Sequence, residues 1–129
     1  MTKDKAASFH CTLEATLAVI SGKYKSLIIW HLNDSGTMRF SELQKALPQA
    51  TAKMLSQQLH DMVDDGIISR TLYPVVPPKT EYALTELGRT IVPIILALCD
   101  WGEAYFKRLG IPSPDACAAE SSRKLKVKD

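Results

Sequence analysis

Several features that mark catalytic or metal-binding proteins are missing from this sequence. The three cysteines, Cys11, Cys99 and Cys117, are odd in number and lack paired Cys-x-x-Cys spacing, so they indicate neither a disulfide framework nor structural zinc. The three histidines add no metal-ligand spacing. The sequence also lacks a glycine-rich phosphate loop and a Ser/His/Asp arrangement with supporting context. We therefore predict a protein that is not an enzyme and that needs no metal or other cofactor.

Long apolar runs and an excess of one charge are also absent. No apolar run approaches the length that spans a bilayer, and residues 1–10 lack the apolar core of a signal peptide, so we expect a cytoplasmic protein with no membrane partner. The formal net charge is +2; residues 120–129 hold four of the 16 basic and two of the 14 acidic residues, which leaves 12 of each in residues 1–119. An argument for nucleic-acid binding must therefore rest on where the charges lie.

The composition that remains is that of one globular domain. The chain has 129 residues, of which 46% are hydrophobic and 23% are charged, which suits a single domain with a substantial core. Residues 1–10 are polar and are predicted to be a flexible lead. Pro112 and Pro114 end the ordered part, so we assign residues 11–111 to the domain and residues 112–129 to a flexible tail.

Two short helices joined by a turn are predicted in the middle of the chain. Ser41 followed by Gln44 has the form of a capping box that opens the first helix, and Pro48 ends it. The second helix covers residues 51–62 and ends at Asp65 and Gly66. Its apolar side chains, which share one face at 100° per residue, are Leu55, Leu59 and Met62. This arrangement is typical of a helix-turn-helix whose second helix enters the DNA major groove.

A β-hairpin is predicted directly after these helices. Residues 67–73 and 80–84 are rich in β-branched and aromatic side chains, which favours strands, and we expect Arg70 to face Glu81 across them. Three prolines lie between the strands, so the connection should project as a stiff loop. A helix-turn-helix followed by such a hairpin is a winged helix. The predicted fold is therefore mainly α with a small β-hairpin, a winged helix-turn-helix with N- and C-terminal dimerisation helices.

Helices are predicted on both sides of the winged helix. Residues 11–20 carry Leu13, Leu17 and Ile20 at helical spacing, and a further helix is expected over residues 23–33. Thr85 should cap the last helix, and Pro93 should make its beginning irregular. The heptad positions of this last helix are Leu87, Ile91, Ile94, Leu98, Trp101 and Tyr105. Further apolar residues make the stripe wider than one small domain needs, so we interpret this helix as a dimerisation helix; the alternative is a helix of the domain's own core.

The motifs in this order resemble those of the HxlR-type winged-helix transcriptional regulators of bacteria. The resemblance covers the chain from Cys11 to about Leu109, and its matching stretches are residues 20–25, 39–43, 53–59, 65–70, 77–88 and 101–102. Three positions differ from what is common in the family: Thr12, Tyr24 and Ala50 stand in place of proline, tryptophan and a larger aliphatic residue. The resemblance implies a homodimer that binds an operator through two winged helices, often in response to oxidants or electrophiles, with the first and last helices forming the dimer interface.

The predicted DNA contacts follow from the second helix of the pair and from nearby basic residues. Residues at its N-terminal end should face base edges and phosphates: Thr51, Ala52, Lys53, Ser56 and Gln57. Phosphate contacts are expected from Lys23, Lys25, Arg39 and Lys79. Acidic residues at the far end of the helix, Asp61, Asp64 and Asp65, should tilt away from the DNA. A homodimer would read two half-sites, so we expect a roughly palindromic operator and, from the resemblance only, repression.

Cys11 is the candidate for redox sensing, because it lies just before the first helix, where thiols are commonly activated. In some members of the family that the chain resembles, a cysteine at this position joins the subunits by a disulfide. A small buried cysteine is the other possibility. A small-molecule effector could also bind near Trp101, between subunits. The alternative to a DNA-binding regulator is a winged-helix module that binds a protein or ligand and has weak DNA affinity.

Overall fold

The computed structural model describes residues 1–114, in which helices surround a small antiparallel sheet. The predicted tail beyond residue 114, including Cys117, lies outside the described residues. The elements in chain order are α1 (Lys3–Ala7), α2 (Thr12–Ile20), α3 (Lys25–Ser35), β1 (Met38–Arg39), α4 (Phe40–Ala46), α5 (Ala52–Asp64), β2 (Ile68–Tyr73), β3 (Lys79–Leu84), α6 (Glu86–Thr90) and α7 (Val92–Leu109).

The N-terminal segment is more ordered than the sequence suggests. The predicted flexible lead contains α1, which Thr2 caps by accepting a hydrogen bond from the Lys5 backbone N–H. The Met1 ammonium lies 2.7 Å from Oδ1 of Asp65, at the end of α5. This ion pair joins positions 64 residues apart, which is why local sequence patterns did not reveal it.

Helix α3 begins two residues later than predicted. Tyr24 is its N-cap residue, and the Tyr24 N–H donates to Oε1 of Gln58 in α5 at 3.0 Å. A side chain from a distant helix thus satisfies a backbone donor at the start of α3. The same bond fixes α5 against α3, which matters because α5 carries the predicted DNA contacts.

The helix-turn-helix consists of α4 and α5. The predicted capping box of Ser41 and Gln44 is wrong: α4 begins at Phe40, and Oε1 of Glu42 accepts the Arg39 N–H at 2.9 Å. The start moves because Arg39 is held extended in β1. Helix α5 agrees with its prediction, since Thr51 Oγ1 accepts the Met54 N–H at 3.1 Å and Gly66 follows in a left-handed conformation, with φ of 79°.

The predicted hairpin is part of a three-stranded sheet with the order β1-β3-β2. The expected pairing of Arg70 with Glu81 is wrong, because Arg70 lies opposite Tyr82 and Glu81 lies opposite Thr71. Successive side chains alternate between the two faces of a sheet, so this register places Arg70 and Glu81 on opposite faces. On its other side, Glu81 pairs with Arg39 of β1.

One hydrophobic core holds these elements together. The three residues that were predicted to form the apolar face of α5, Leu55, Leu59 and Met62, are fully buried in it. The C-terminal helix is interrupted, as expected near Pro93: α6 ends at Thr90, and α7 begins at Val92. Thr85 caps α6 by accepting the Gly88 N–H at 2.9 Å. From α7, Val92, Ile95 and Leu96 are buried in the core.

Candidate nucleic-acid interface

The outward face of α5 carries the residues that were predicted to read base edges. All of them are exposed and lie in the first two turns of the helix or at its N-cap: Thr51, Ala52, Lys53, Ser56 and Gln57. The opposite face is buried in the core, so the orientation of α5 is fixed. The structure therefore presents a small, polar and hydrogen-bonding helix surface to the exterior.

Three of the four basic residues that were predicted to contact phosphates are exposed. Lys23 precedes α3, Arg39 ends β1 as the N-cap residue of α4, and Lys79 begins β3 in the wing. The Arg39 guanidinium lies 3.6 Å from Glu42, an exposed ion pair that restricts its direction. Hydrogen bonding from the Arg39 backbone N–H, more than the Arg39 charge, lowers the pKa of the Glu42 carboxyl, so Glu42 keeps its charge at neutral pH.

Lys25 is the exception, and its burial argues against the predicted phosphate contact. The residue is only 8% exposed, and its Nζ lies 3.9 Å from Oδ2 of Asp61. The chain turns at Gly22 so that the aliphatic part of Lys25 packs closely: a Cβ at Gly22 would lie 2.8 Å from Cδ of Lys25. A lysine side chain that is 10% exposed and lies beside a carboxylate is poorly placed to reach a DNA backbone, and we leave Lys25 out of the interface.

The acidic residues at the C-terminal end of α5 have partners that the sequence analysis did not assign. Oδ1 of Asp61 accepts a hydrogen bond from Nε2 of Gln57 at 3.2 Å. Asp64 lies 3.3 Å from Nε2 of His60, and Asp65 pairs with the Met1 ammonium. The i, i+4 spacing of Gln57 and Asp61 was a usable signal in the sequence, since such pairs face each other on a helix.

The wing has its own network around Tyr73. Hydrogen bonding with the Glu81 carboxylate, followed by its negative charge, raises the pKa of the Tyr73 hydroxyl. Nζ of Lys79 lies 5.5 Å from the centre of the Tyr73 ring, within cation–π distance. At the tip, Val76 is fully exposed, in agreement with the predicted projecting loop.

A set of exposed apolar side chains is carried by α2, α6 and α7. Its members, which we call the α2/α7 seam, are between 46% and 68% exposed: Leu13, Leu17, Leu87, Ile94, Leu98, Trp101 and Tyr105. Ile91, the remaining heptad residue, is partly buried against the core. Trp101 and Tyr105 stack with ring centroids 5.1 Å apart. One side of α7 is therefore buried in its own domain, as expected for a helix of the domain's own core. A second apolar side is exposed.

Cysteine exposure separates the two described thiols. Cys11 is exposed at the N-cap of α2, whereas Cys99 is half-buried on α7.

Within residues 1–114, no group of acidic, histidine and cysteine side chains is arranged to hold a metal ion. In the same range, no helix combines the length and apolarity that crossing a bilayer requires. A cleft of about 610 Å³ lies between the end of α3, β3 and α6, and Trp101 does not line it.

Taken together, α4, α5 and the three-stranded sheet with its projecting loop define a winged helix-turn-helix protein. Comparison with known families makes the assignment specific: the HxlR-like helix-turn-helix family matches residues 19–109. The chain belongs to this family and is a helix-turn-helix transcriptional regulator.

The relatives agree with this assignment. The chain is 48% identical over 99 residues to YdeP of Bacillus subtilis strain 168, an uncharacterized HTH-type transcriptional regulator, with 77% of each chain covered. It is 44% identical over 97 residues to an uncharacterized HTH-type regulator of Methanothermobacter thermautotrophicus, which covers 75% of this chain and 73% of that protein.

Among solved structures, the fold is similar to that of the redox regulator HypR in two states. The oxidized form superimposes with a TM-score of 0.69 and 47% identity, covering 73% of this chain and 96% of HypR. The reduced form gives a TM-score of 0.73 and 44% identity, covering 78% and 98%.

Proposed function

We propose that this regulator binds duplex DNA sequence-specifically as a homodimer and represses transcription from a roughly palindromic operator. The observation that carries the proposal is the exposed polar face of α5, together with the exposed basic residues Lys23 before α3, Arg39 at the start of α4 and Lys79 in the wing. Membership of a helix-turn-helix regulator family supports it independently. DNA as the partner also supports the cytoplasmic location predicted from the sequence.

Each part of this surface has a distinct role in the proposal. Lys53 donates to guanine or phosphate, Gln57 pairs with adenine, and Ala52 contacts a thymine methyl group. Thr51 and Ser56 are small enough to let the helix backbone approach the groove. Lys23, Arg39 and Lys79 contact phosphates and set the position of the protein on the duplex.

The homodimer is supported by the α2/α7 seam. Monomeric proteins rarely expose so many large apolar side chains on so few helices, and a second copy of the chain would cover them in a symmetric way. A two-fold dimer places two copies of α5 about one helical turn of DNA apart, which is the reason for expecting a palindromic operator.

Binding to DNA is tested with the purified protein and a duplex fragment that flanks its own gene, at two salt concentrations. We expect tight binding that weakens steeply as salt rises, and at least a roughly tenfold loss of affinity in the double variant Lys53→Ala, Gln57→Ala. Lys107→Ala, which removes one positive charge from α7, is the matched control and should bind as the unaltered protein does.

A second candidate function is a winged-helix module that recognises a protein or a small ligand and binds DNA weakly. The observation that favours it is the equal number of acidic and basic residues in residues 1–119. Equally weak, salt-insensitive DNA binding by the unaltered protein and the double variant would favour this candidate and contradict sequence-specific binding through α5.

Cys11 is the proposed site of an oxidant response. Its thiol is exposed at the start of α2, beside seam residues, and HypR is described as a redox regulator. Hydrogen peroxide would take two electrons and two protons from a pair of Cys11 thiols, giving one disulfide between subunits and two waters. We expect peroxide to change the DNA affinity of the unaltered protein and to leave that of Cys11→Ser unchanged. An equal response of both proteins would remove Cys11 from the proposal.

A further inference from the structure

Asp61 lies between a buried cation and one of the residues proposed to read bases. Its Oδ1 accepts from Nε2 of Gln57 at 3.2 Å, while its Oδ2 lies 3.9 Å from Nζ of Lys25. The Lys25 side chain is 10% exposed, and the Asp61 side chain is 42% exposed. Asp61 therefore reaches from the interior, where Lys25 is held, to the outward surface, where Gln57 lies.

Lys25 has little freedom to move away from Asp61. Its aliphatic part packs against the backbone at Gly22, where an added Cβ would lie 2.8 Å from Cδ and Cε of Lys25. The same Cβ would lie 2.7 Å from Oε1 of Gln58, which accepts the Tyr24 N–H. The carboxylate of Asp61 is thus attracted to a cation whose position is set by the packing of α3 on α5.

The hydrogen bond to Asp61 determines which way the Gln57 amide faces. A carboxylate only accepts hydrogen bonds, so the Nε2 end of the amide, and not Oε1, must point toward Asp61. One N–H of Nε2 is used in this bond. When that N–H is the one trans to Oε1, the second N–H and Oε1 lie side by side on the outer edge of the amide.

This outer edge matches one base in the major groove. Adenine presents an acceptor, N7, beside a donor, N6, whereas guanine presents two acceptors, N7 and O6. A glutamine whose donor and acceptor are fixed side by side can pair with adenine through two bonds and with guanine through only one.

We propose that Asp61 is a positioning residue that orients Gln57 for adenine, and that buried Lys25 holds Asp61 in place. This inference rests on the proposed function, because it assigns a specificity role within the α5 surface. Asp61 also places a negative charge on a helix that approaches phosphates. Its removal should therefore strengthen binding to DNA of any sequence while weakening the preference for the correct sequence.

The experiment compares affinity for two duplexes. The first is obtained by selecting binders from random-sequence DNA with the unaltered protein, and the second differs from it at the single base pair where Gln57→Ala loses preference. We expect Asp61→Ala and Asp61→Leu, which both lack an acceptor, to reduce the affinity ratio about fivefold to tenfold. Asp61→Asn keeps an acceptor oxygen and should retain most of the ratio. Asp64→Ala removes the same charge one turn away and should leave the ratio unchanged.

A double-mutant cycle separates positioning from a general effect on the fold. When residue 57 is already alanine, Asp61→Ala should not change the ratio further. An equal reduction in both backgrounds, or the same reduction in Asp64→Ala, would overturn the role of Asp61 and leave the proposed function intact. Failure of the unaltered protein to select any sequence would overturn the proposed function together with this inference.

Discussion

At the scale of single residues, only glycine fits at position 88, because backbone atoms of Ile67 lie where a Cβ would be. A Cβ added at this position in α6 would lie 2.1 Å from the carbonyl oxygen of Ile67 and 3.1 Å from its carbonyl carbon. The Ile67 carbonyl is itself fixed, since it accepts the Thr85 backbone N–H at 3.0 Å. An added methyl group must therefore displace α6 from the sheet.

Replacing Gly88 with alanine should destabilise the fold. Alanine favours a helix over glycine by about 1 kcal/mol, but the forced movement of backbone outweighs this gain. We expect a net loss of about 2 to 3 kcal/mol in the free energy of unfolding, measured by urea denaturation. Gly102→Ala is the matched control, because its Cβ would meet no atom within 4 Å, and this variant should be as stable as the original or slightly more so. Equal stability of the two variants would refute the steric argument.

His31 makes stability depend on pH near neutrality. Burial lowers the pKa of His31 below its ordinary value of 6.5, and the nearby charge of Asp34 only partly opposes this shift. The unfolded chain therefore binds a proton at a higher pH than the folded protein does. By linkage, stability should fall as pH decreases below about 6.5 toward the folded-state pKa, and it should be restored above 6.5.

The variant His31→Gln isolates this effect, because glutamine does not titrate. We expect its melting temperature to fall less between pH 7 and pH 5.5 than that of the original protein. His60→Gln is the control on an exposed histidine, and it should not remove the loss of stability at low pH. A pH profile that is identical for His31→Gln and the original protein would contradict the assignment.

At the scale of elements, helix α7 is unusual because it is apolar on two sides. Val92, Ile95 and Leu96 account for its buried side, and the α2/α7 seam is left exposed. Leu98, which is 53% exposed, can accept a charged side chain without disturbing the core of its own subunit.

Leu98→Glu should therefore separate the proposed dimer into folded monomers. Two glutamates brought together at a symmetric apolar interface would lose hydration without gaining partners. Sedimentation equilibrium should show a dimer for the original protein and a monomer for Leu98→Glu, with unchanged helix content by circular dichroism. Lys107→Glu changes charge on the same helix outside the seam and should remain dimeric. A dimeric Leu98→Glu variant would exclude the seam as the interface.

Elements that are determined by neighbouring residues could be predicted from the sequence, whereas those that depend on contacts between distant residues could not. The faces of α5 and the cap at Thr85 are encoded within a few residues, and both predictions are confirmed. The start of α4 was misplaced because β1 pairs with a strand that lies some 40 residues away in the chain. The burial of Lys25 was missed for a similar reason: it comes from the approach of α5, whereas the sequence shows only a lysine near the start of a helix.

At the scale of the whole molecule, the proposed phosphate contacts can be tested through the salt dependence of DNA affinity. The net charge is only +2, yet Lys23, Arg39 and Lys79 are all exposed, before α3, at the start of α4 and in the wing. The double variant Lys23→Ala, Lys79→Ala removes four proposed phosphate contacts from a dimer. The slope of log affinity against log salt should then decrease in magnitude by about 3 to 4.

Lys25→Met is the control for that measurement. It also removes a positive charge, but this charge is buried beside Asp61 and is not proposed to contact phosphate. We expect Lys25→Met to leave the salt slope nearly unchanged. A decrease in slope as large per lysine as in the double variant would mean that Lys25 does reach the DNA.

Strand β1 has a consequence for the shape that the proposed operator must adopt. It leads directly into α4 and pairs with β3, so the wing cannot move relative to the helix-turn-helix without breaking the pairs Met38–Tyr82 and Arg39–Glu81. The distance between β3, at the base of the wing, and the helix-turn-helix is therefore nearly constant. Any mismatch between this distance and the grooves must be taken up by bending or narrowing of the duplex, which costs less in some base-pair steps than in others. Base pairs that no side chain touches should consequently contribute to operator affinity through their stiffness.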